Sequence, residues 1–243
     1  IAKRAGVLAG TEVAAKVFRT TDPSCKIVIR KGDGSRLGEG DSIMDVMGLA
    51  APMLMAERVA LNLLQRMSGI ATETAMYVDA TKGLKARIVD TRKTTPGLRA
   101  LEKYAVVVGG GFNHRFGLYD GVLVKDNHIA LLRGQGIALD EAVRALKAKV
   151  PHTMRVEVEV SDLAKVREAL EAGADALLLD NMDADQIRDA VKLVGGRAIL
   201  EASGGITLEN VRGIAETGVD IISVGAITHS APSLDISLEI EPM

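Results

Sequence analysis

The sequence predicts an α/β fold in which a parallel, TIM-like barrel, complete or incomplete, is joined to a smaller α/β sandwich domain. Short β-like runs alternate with helical patterns at roughly 20 to 35 residues per unit, a spacing typical of parallel strands joined by right-handed crossovers. Polar residues stand at the ends of so many of these runs that we expect a closed barrel. No GxGxxG motif follows the first run, which disfavours an open dinucleotide-binding sheet. The β-like runs are 87–89, 121–124, 155–160, 176–179, 198–200 and 221–224, and the helical patterns are 139–148, 162–172, 184–194 and 208–217.

The composition is that of a soluble globular chain with a sizeable core. Its 243 residues, 47% of them apolar, with a net charge of −2, suit one barrel-sized domain and a small companion. The absence of a long Lys/Arg block and an aromatic content of 2% argue against a nucleic-acid partner. The single cysteine, Cys25, fits a reducing, cytoplasmic compartment, and no apolar run of about 18 residues predicts a membrane span.

The first 47 residues predict short elements. A helix over 11–18 has Thr11 available as its N-cap. A hairpin pairs 26–30 with 36–38 about the turn Asp33-Gly34, and one more strand follows near 42–44.

A long helical pattern covers roughly residues 48–80, with apolar residues recurring three to four apart. Arg58 interrupts its apolar character, and beside Glu57 it reads most simply as half of a solvent-facing ion pair. Residues 234–240 alternate strictly, which predicts a half-buried strand that returns to the small domain. The predicted domains are therefore 1–66 completed by 230–243, and the barrel at 67–229.

The run 155–160 places carboxylates inside the predicted barrel. A period of two puts its valines on one face, and Glu157 and Glu159 on the other. A surface strand with an acidic face is the alternative. The next run ends at Asp180, so carboxylates meet at neighbouring strand ends, where cations or hydroxyl donors must offset their desolvation. A ribose diol with Mg²⁺ supplies both.

Glycines mark two later strand ends. One turn contains Ser203, Gly204 and Gly205, and the other contains Gly225, each just before a helical pattern. Two such turns in tandem match the phosphate-binding loops at the late strands of barrels. His229 lies four residues beyond Gly225 and is expected near the same end.

The stretch 90–129 concentrates basic residues between two β-like runs, beside the glycine triplet 109–111. Basic groups at strand ends are how α/β folds hold anionic ligands. A solvated basic helix followed by a flexible glycine loop is the alternative. The basic residues in question are Arg92, Lys93, Arg99, Lys103, His114, Arg115, Lys125 and His128.

These motifs together resemble the quinolinate phosphoribosyltransferase family. The blocks DTRKTTPGLR, GGGFNHR and KDNHI stand in the family's order and spacing, and ERVALNLLQRMSGIAT, VEVEV, LLLDN, SGGI and VGAITHS extend the resemblance over nearly the whole chain. The resemblance also implies some tens of residues ahead of Ile1.

The resemblance implies roles for individual residues. Glu159 and Asp180 would bind Mg²⁺ and the ribose, with Glu157 behind them, and would act in catalysis together with Lys93 and Lys125. Phosphoribosyl pyrophosphate would be held by Glu159, Asp180, Ser203, Gly204, Gly205, Gly225 and His229. Quinolinate would be held by Arg92, Lys93, His114, Arg115 and Lys125, with Arg58 contributed by the partner subunit of a homodimer or higher multiple.

The implied reaction transfers phosphoribosyl to quinolinate with decarboxylation, giving nicotinate mononucleotide, CO₂ and pyrophosphate in NAD biosynthesis. Two alternatives stay open at this point. A relative could use a monocarboxylate such as nicotinate without decarboxylation, or the barrel could be a catalytically silent sensor of a phosphorylated sugar.

Overall fold

The computed structural model describes residues 1–241, which form two compact units. One unit contains residues 1–78, 93–112 and the segment from 225 onward, and the other contains 79–92 and 113–224. We call them the small-domain unit and the barrel unit. The predicted domain boundary at 66/67 stays a prediction, and the last two residues of the predicted segment 230–243 lie outside the described residues.

The strands and helices alternate along most of the chain. The strands are β1 (Gly6–Val7), β2 (Lys26–Ile29), β3 (Arg36–Leu37), β4 (Met44–Met47), β5 (Arg87–Val89), β6 (Val122–Val124), β7 (Val156–Val160), β8 (Ala176–Asp180), β9 (Ile199–Ser203) and β10 (Ile221–Ser223). The helices are α1 (Thr11–Thr21), α2 (Ala50–Ala80), α3 (Arg99–Val108), α4 (Asp126–Gly134), α5 (Leu139–Lys149), α6 (Leu163–Glu171), α7 (Ala184–Val194), α8 (Val211–Ala215) and α9 (Ala226–His229).

The barrel unit is built on a six-stranded parallel sheet with the order β5-β10-β9-β8-β7-β6. Val156, Val158, Leu177 and Leu179 share one face of its central strands and are fully buried, and on the other face of β8 Ala176 and Leu178 are only 7% and 6% exposed. Strands buried on both faces are typical of parallel sheets covered by crossover helices. The predicted fold class, a TIM-like parallel barrel with a smaller α/β domain, is confirmed.

The helices of the barrel unit end where their sequence signals place them. Asp162 caps α6 by accepting the Lys165 N–H, and Asp183 caps α7 in the same way. Gly195, at the end of α7, has φ 55°, a left-handed conformation that costs glycine little. The predicted helix 208–217 is shorter than expected, because Asn210 accepts the Thr207 N–H and holds the residues before α8 in a turn.

In the small-domain unit, the predicted hairpin is wrong. Strand β2 pairs with β4, and β3 pairs with β1, so the two runs proposed as hairpin partners belong to different ladders. The carboxylate of Asp33, at the proposed turn, instead accepts from the backbone N–H groups of Gly10 and Thr11 at 2.8 and 2.9 Å. These bonds direct the chain after Asp33 towards β1.

The same bonds correct the predicted cap of α1. Thr11 is the first residue of the helix, and the N-cap is Gly10, with no capping side chain of its own. Asp33 serves as the cap from 22 residues further along the chain, and it also accepts from the Thr11 hydroxyl at 2.8 Å. A long-range carboxylate therefore satisfies the first free N–H groups of the helix.

The predicted strand over 234–240 is also wrong. The segment lies in the small-domain unit and makes one antiparallel bridge, between Ile236 and Ala2. Leu234 and Ile236 are buried in the core of this unit, with Phe18, Leu61 and Leu64 from α1 and α2. Next to this bridge, Ser237 N–H donates to the Ile1 carbonyl at 3.0 Å. Within residues 1–241, no helix has both the length and the hydropathy of a membrane span.

Candidate active site

The barrel unit carries two layers of carboxylates. Glu157 near the start of β7 and Glu201 in the middle of β9 both face His114, whereas Glu159 and Asp180 stand near the carboxyl ends of β7 and β8. Along one strand face, residues two apart are separated by about 7 Å. The period-two prediction for β7 therefore yields two functional levels, a deep one at Glu157 and an upper one at Glu159.

The deep level is organised around the imidazole of His114. Its Nε2 lies 3.3 Å from a carboxylate oxygen of Glu157 and 3.3 Å from one of Glu201. Its Nδ1 accepts the backbone N–H of Arg115 at 2.8 Å, and its own backbone N–H donates to Asp90 at 2.8 Å. Both glutamates are buried, Glu201 with 2% exposure, so this network forms the floor of the site.

The ligand-type atoms of His114, Glu157 and Glu201 lie within 4.8 Å of one another, close enough to hold a metal ion. The tautomer argues against that use. An Nδ1 that accepts the Arg115 N–H carries no proton, so the ring proton is on Nε2, the atom that faces the carboxylates. A protonated nitrogen cannot bind a metal, and we assign this cluster to hydrogen bonding.

The carboxylates of Glu157 and Glu201 favour a proton on Nε2 of His114. Burial disfavours the charged imidazole, but the hydrogen bonds and charges of Glu157 and Glu201 outweigh it and raise the pKa of His114 to about 10. The Arg115 N–H opposes a second ring proton, because a protonated Nδ1 would face that donor. The Arg115 N–H bond to Nδ1 corresponds to the neutral ring protonated on Nε2, and the imidazolium that the raised pKa favours at neutral pH requires this N–H to turn away; Nε2 carries a proton in both forms.

Cationic side chains lie near the buried network of His114, Glu157 and Glu201 that forms the floor of the site. The guanidinium of Arg115 donates to Gly121 O at 3.0 Å, and both Arg115 and His114 line a cavity of about 330 Å³ with Glu157 and Glu201. Burial lowers the pKa of Arg115, and the nearby charge of Arg92 lowers it further. Two guanidinium groups are thus held close enough to repel each other.

The upper level combines carboxylates with a lysine. Lys125, at the carboxyl end of β6, has its Nζ 3.7 Å from Glu159. Burial raises the pKa of Glu159, the charge of Lys125 opposes that rise, and the charge of Asp180 adds to it. Glu159 and Asp180 line a second cavity of about 300 Å³, with Asp126 and Asn127 from the start of α4.

The turn after β9 packs against the turn after β8. Asn181 adopts φ 54°, rare for a residue with a side chain, and donates to Asp180 at 2.9 Å through Nδ2 and to Ser203 O at 2.9 Å through its backbone. Gly204 has φ 88°, and any side chain there would collide with Asn181. The glycine after Ser203 is therefore required for the two strand-end turns to touch. Gly205 follows with an exposed backbone.

The remaining predicted site residues belong to the small-domain unit. Gly225 lies between the side chains of Lys93 and His229, whose atoms would be 3.2 Å from a Cβ built at this glycine. Arg58 lies on α2 with 79% of its side chain exposed and its guanidinium 3.5 Å from Glu57. The simple ion pair expected from sequence is present there.

Two residues of the floor were not predicted as site residues. Asp90 is fully buried directly after β5, and Glu201 is buried within β9. A lone carboxylate inside the apolar run AILEAS is the signal that identifies Glu201, because such a group needs a donor. Nothing in the sequence indicates that its donor is His114, 87 residues earlier.

Comparison with known proteins gives matches over the whole chain. The family model for the quinolinate phosphoribosyl transferase C-terminal domain matches residues 70–239, and that for the N-terminal domain matches residues 1–68. A probable nicotinate-nucleotide pyrophosphorylase (carboxylating) of Bacillus subtilis is 45% identical over 240 residues, covering 99% of this chain and 82% of the relative.

Two further matches agree. The quinolinate phosphoribosyltransferase (decarboxylating) 2a of Nicotiana tabacum is 44% identical over 256 residues, covering 99% of this chain and 72% of that protein. The crystal structure of NadC from Streptococcus pyogenes superposes with a TM-score of 0.91 at 45% identity, covering 98% of this chain and 83% of that chain.

Proposed function

Because the chain belongs to the quinolinate phosphoribosyl transferase family, a group of pentosyltransferases of NAD biosynthesis, we propose its complete reaction and the residues that perform it. The reaction is Mg²⁺-dependent transfer of phosphoribosyl from phosphoribosyl pyrophosphate to quinolinate, with release of CO₂ and pyrophosphate and formation of nicotinate mononucleotide.

The observation that carries this proposal is the pair of guanidinium groups in the barrel unit. Burial and then the charge of Arg92 lower the pKa of Arg115, whose guanidinium is held by Gly121 O at 3.0 Å, and the charges of Glu157, Asp120 and Glu201 offset only part of this effect. Two cations held together against their repulsion are stabilised by a ligand with more than one negative charge. Quinolinate carries two adjacent carboxylates on a small ring, and arginine binds a carboxylate in a bidentate fork.

Within this pocket, the side chains have different tasks. Arg92, Arg115 and Lys125 bind the dicarboxylate. His114 acts through Arg115, because Nε2 and Nδ1 both bond protein groups and the Nδ1 bond fixes the Arg115 backbone. The Lys125–Glu159 contact of 3.7 Å supports this role, because an acceptor bound by Lys125 would lie beside the carboxylates of the upper level.

The upper carboxylates stabilise the sugar during transfer. When the bond from the anomeric carbon to pyrophosphate breaks and the quinolinate nitrogen bonds that carbon, positive charge develops on the ribose. Glu159 and Asp180 counter it with fixed negative charge. The glycine turns Ser203–Gly205 and Gly225, the latter with His229, bind the phosphates of the donor. We assign Lys93 to the donor and not to quinolinate, because its side chain packs against Gly225 beside His229.

The donor set at the upper level also fits Mg²⁺. Glu159 and Asp180 offer carboxylate oxygens, the ligand type that Mg²⁺ prefers, and the charge of Asp180 adds to the rise that burial causes in the pKa of Glu159, an effect that a cation between the two would relieve. When bound, Mg²⁺ would neutralise charge on the departing pyrophosphate.

Decarboxylation requires little acid–base chemistry from the protein. The C–C bond to the 2-carboxylate breaks, its electron pair stays on the ring carbon beside the quaternised nitrogen, and a proton from solvent replaces CO₂. The residues contribute mainly by holding the acceptor in place.

The test compares two acceptors. Purified protein is given phosphoribosyl pyrophosphate and Mg²⁺ with either quinolinate or nicotinate, and pyrophosphate release is followed. We expect quinolinate to be used at least tenfold more efficiently, because a monocarboxylate forgoes the charge-assisted bonds of the second carboxylate. Equal use of both would favour a nicotinate-specific relative, and use of neither would favour a sugar-phosphate sensor.

A further inference from the structure

Thr228 occupies an unusual position in the small-domain unit. Its side chain is fully buried in the short helix α9, between Gly225 and His229. Its hydroxyl lies 2.8 Å from the carbonyl oxygen of Lys93 and 3.1 Å from that of Gly225. The second contact is the local bond that a helical threonine commonly makes, whereas the first joins residues 135 positions apart.

A hydroxyl has one proton, and the shorter contact identifies Lys93 as its main acceptor. The backbone on the other side of Thr228 is fixed as well. Its carbonyl accepts from the guanidinium of Arg66, which also donates to Ala231 O at 2.8 Å and pairs with the buried Glu102 at 3.0 Å. Glu102 in turn accepts the N–H of Thr95, two residues beyond Lys93, at 3.1 Å.

Thr228 therefore joins two segments at the point where their side chains converge. The aliphatic stem of Lys93 and the ring of His229 both pack against Gly225, so a shift of either backbone would move a charged or polar group relative to this glycine. Two substitutions separate the hydroxyl of Thr228 from the shape of its side chain. Serine keeps the hydroxyl, and valine keeps nearly the same volume without it.

We propose that Thr228 is a positioning residue for the donor substrate: its hydroxyl holds the Lys93 backbone so that Lys93, Gly225 and His229 together bind phosphoribosyl pyrophosphate. This inference rests on the proposed function. Thr228 does not touch the substrate, and it acts through Lys93.

The test uses two substitutions at this position. Thr228→Val removes the hydroxyl and keeps the volume, whereas Thr228→Ser keeps the hydroxyl. We expect T228V to raise the KM for phosphoribosyl pyrophosphate about tenfold, the effect of one buried hydrogen bond. The KM for quinolinate should change less than about twofold, and T228S should recover most of the donor affinity.

Thr74→Val is the matched control. Thr74 is equally buried in the same unit, and its hydroxyl bonds only the local carbonyl of Ile70, at 2.8 Å. T74V should leave the ratio of the KM for phosphoribosyl pyrophosphate to the KM for quinolinate at its wild-type value. Thermal midpoints of all variants are recorded, and kinetics are measured well below the lowest one, so that loss of stability is separated from loss of positioning.

Calorimetric binding of phosphoribosyl pyrophosphate to each variant, without acceptor, gives a readout independent of turnover. The proposal is overturned if T228V binds the donor as tightly as wild type, if both KM values rise together, or if T228S is as impaired as T228V. Wild-type protein that neither binds nor consumes phosphoribosyl pyrophosphate would refute the proposed function itself, and the wild-type measurement alone detects that outcome.

Discussion

The imidazole of His114 connects three parts of the barrel unit that are far apart in sequence. It bonds the Arg115 backbone through Nδ1, and Glu157 and Glu201 through Nε2. Buried carboxylates beneath a cationic pocket also reduce the repulsion among the cations when no substrate is bound. Two effects of Glu201 on quinolinate binding are therefore opposed, since its charge repels the dianion and its hydrogen bond orders the pocket.

Substitution of Glu201 separates these effects. Glu201→Leu removes the acceptor and the charge, and we expect the KM for quinolinate to rise about fivefold because the imidazole loses one of its two partners. Glu201→Gln keeps an acceptor oxygen and should change this KM about twofold or less. Steady-state kinetics at saturating phosphoribosyl pyrophosphate measure both values.

If charge were the dominant effect, both Glu201 variants would bind quinolinate more tightly than wild type, and the proposed role of His114 would be wrong. Nitrogen NMR of the labelled imidazole gives a second check. The contacts of Nε2 with Glu157 and Glu201 require a proton on Nε2 in the wild-type protein.

At the scale of elements, the N-terminus of α1 depends on one distant carboxylate. Asp33 accepts from two backbone N–H groups and the Thr11 hydroxyl, and also from the hydroxyl of Tyr104 at 2.8 Å. Burial alone would raise the pKa of Asp33, but these hydrogen bonds outweigh it and hold the pKa below the ordinary value of 3.8. The bonds therefore favour the ionised carboxylate in the folded chain.

A lowered folded-state pKa has a defined pH signature. The stabilisation is fully present above pH 3.8 and is lost as the pH falls through the folded pKa. We expect Asp33→Ala to lower the free energy of unfolding by about 1–2 kcal/mol at pH 7, as for loss of a helix cap. The difference from wild type should shrink in acid, as measured by urea unfolding followed by circular dichroism. A difference that stays constant down to pH 3 would show that Asp33 acts through packing and not through its charge.

The elements show which sequence signals are reliable. Apolar runs with glycine-terminated helices between them located β5 to β10 and α5 to α7 to within about three residues, because burial on both faces leaves little choice of structure. The hairpin between β2 and β3 failed because local turn chemistry at Asp33-Gly34 was outweighed by the long-range bonds of Asp33 to α1. The strand at 234–240 failed because an alternating pattern specifies a half-buried face but supplies no partner strand.

The candidate site shows the same limit. Residue types predicted the cations and the strand-end carboxylates, since charges next to buried strands need a ligand or a partner. The division into two levels was not predictable, because His114 and Arg115 precede β6 and yet reach the acidic residues of β7 and β9. The hydrogen bond of Thr228 to Lys93 was equally unpredictable, because nothing in the sequence of a short helix indicates which distant carbonyl its hydroxyl will meet.

At the scale of the whole molecule, the first half of α2 exposes an apolar surface around Arg58. Leu49, Leu54, Met55 and Val59 are all at least half exposed, Met55 by 75%. Several large apolar side chains exposed on one short stretch of chain are typical of a subunit interface. We expect a second copy of the chain to cover it and to receive Arg58 in its quinolinate pocket, as the sequence analysis predicted.

Complementation tests the shared site. Arg58→Ala and Lys125→Ala chains, each inactive alone, are mixed under conditions that allow subunits to exchange. Each mixed dimer has one site with both cations, so activity should return to at most about a quarter of wild type for random pairing in a two-fold dimer. Mixed dimers that form and stay inactive would show that Arg58 acts within its own chain or has no role.

The central claim is that phosphoribosyl transfer and decarboxylation occur on the same acceptor. The most direct measurement uses quinolinate labelled with ¹⁴C in the 2-carboxylate, with phosphoribosyl pyrophosphate and Mg²⁺, and counts labelled CO₂ against pyrophosphate. We predict one CO₂ for each pyrophosphate, none when the donor or Mg²⁺ is omitted, and at least a tenfold loss of both products in Asp180→Asn. Label retained in the nucleotide, or CO₂ released without the donor, would contradict the account.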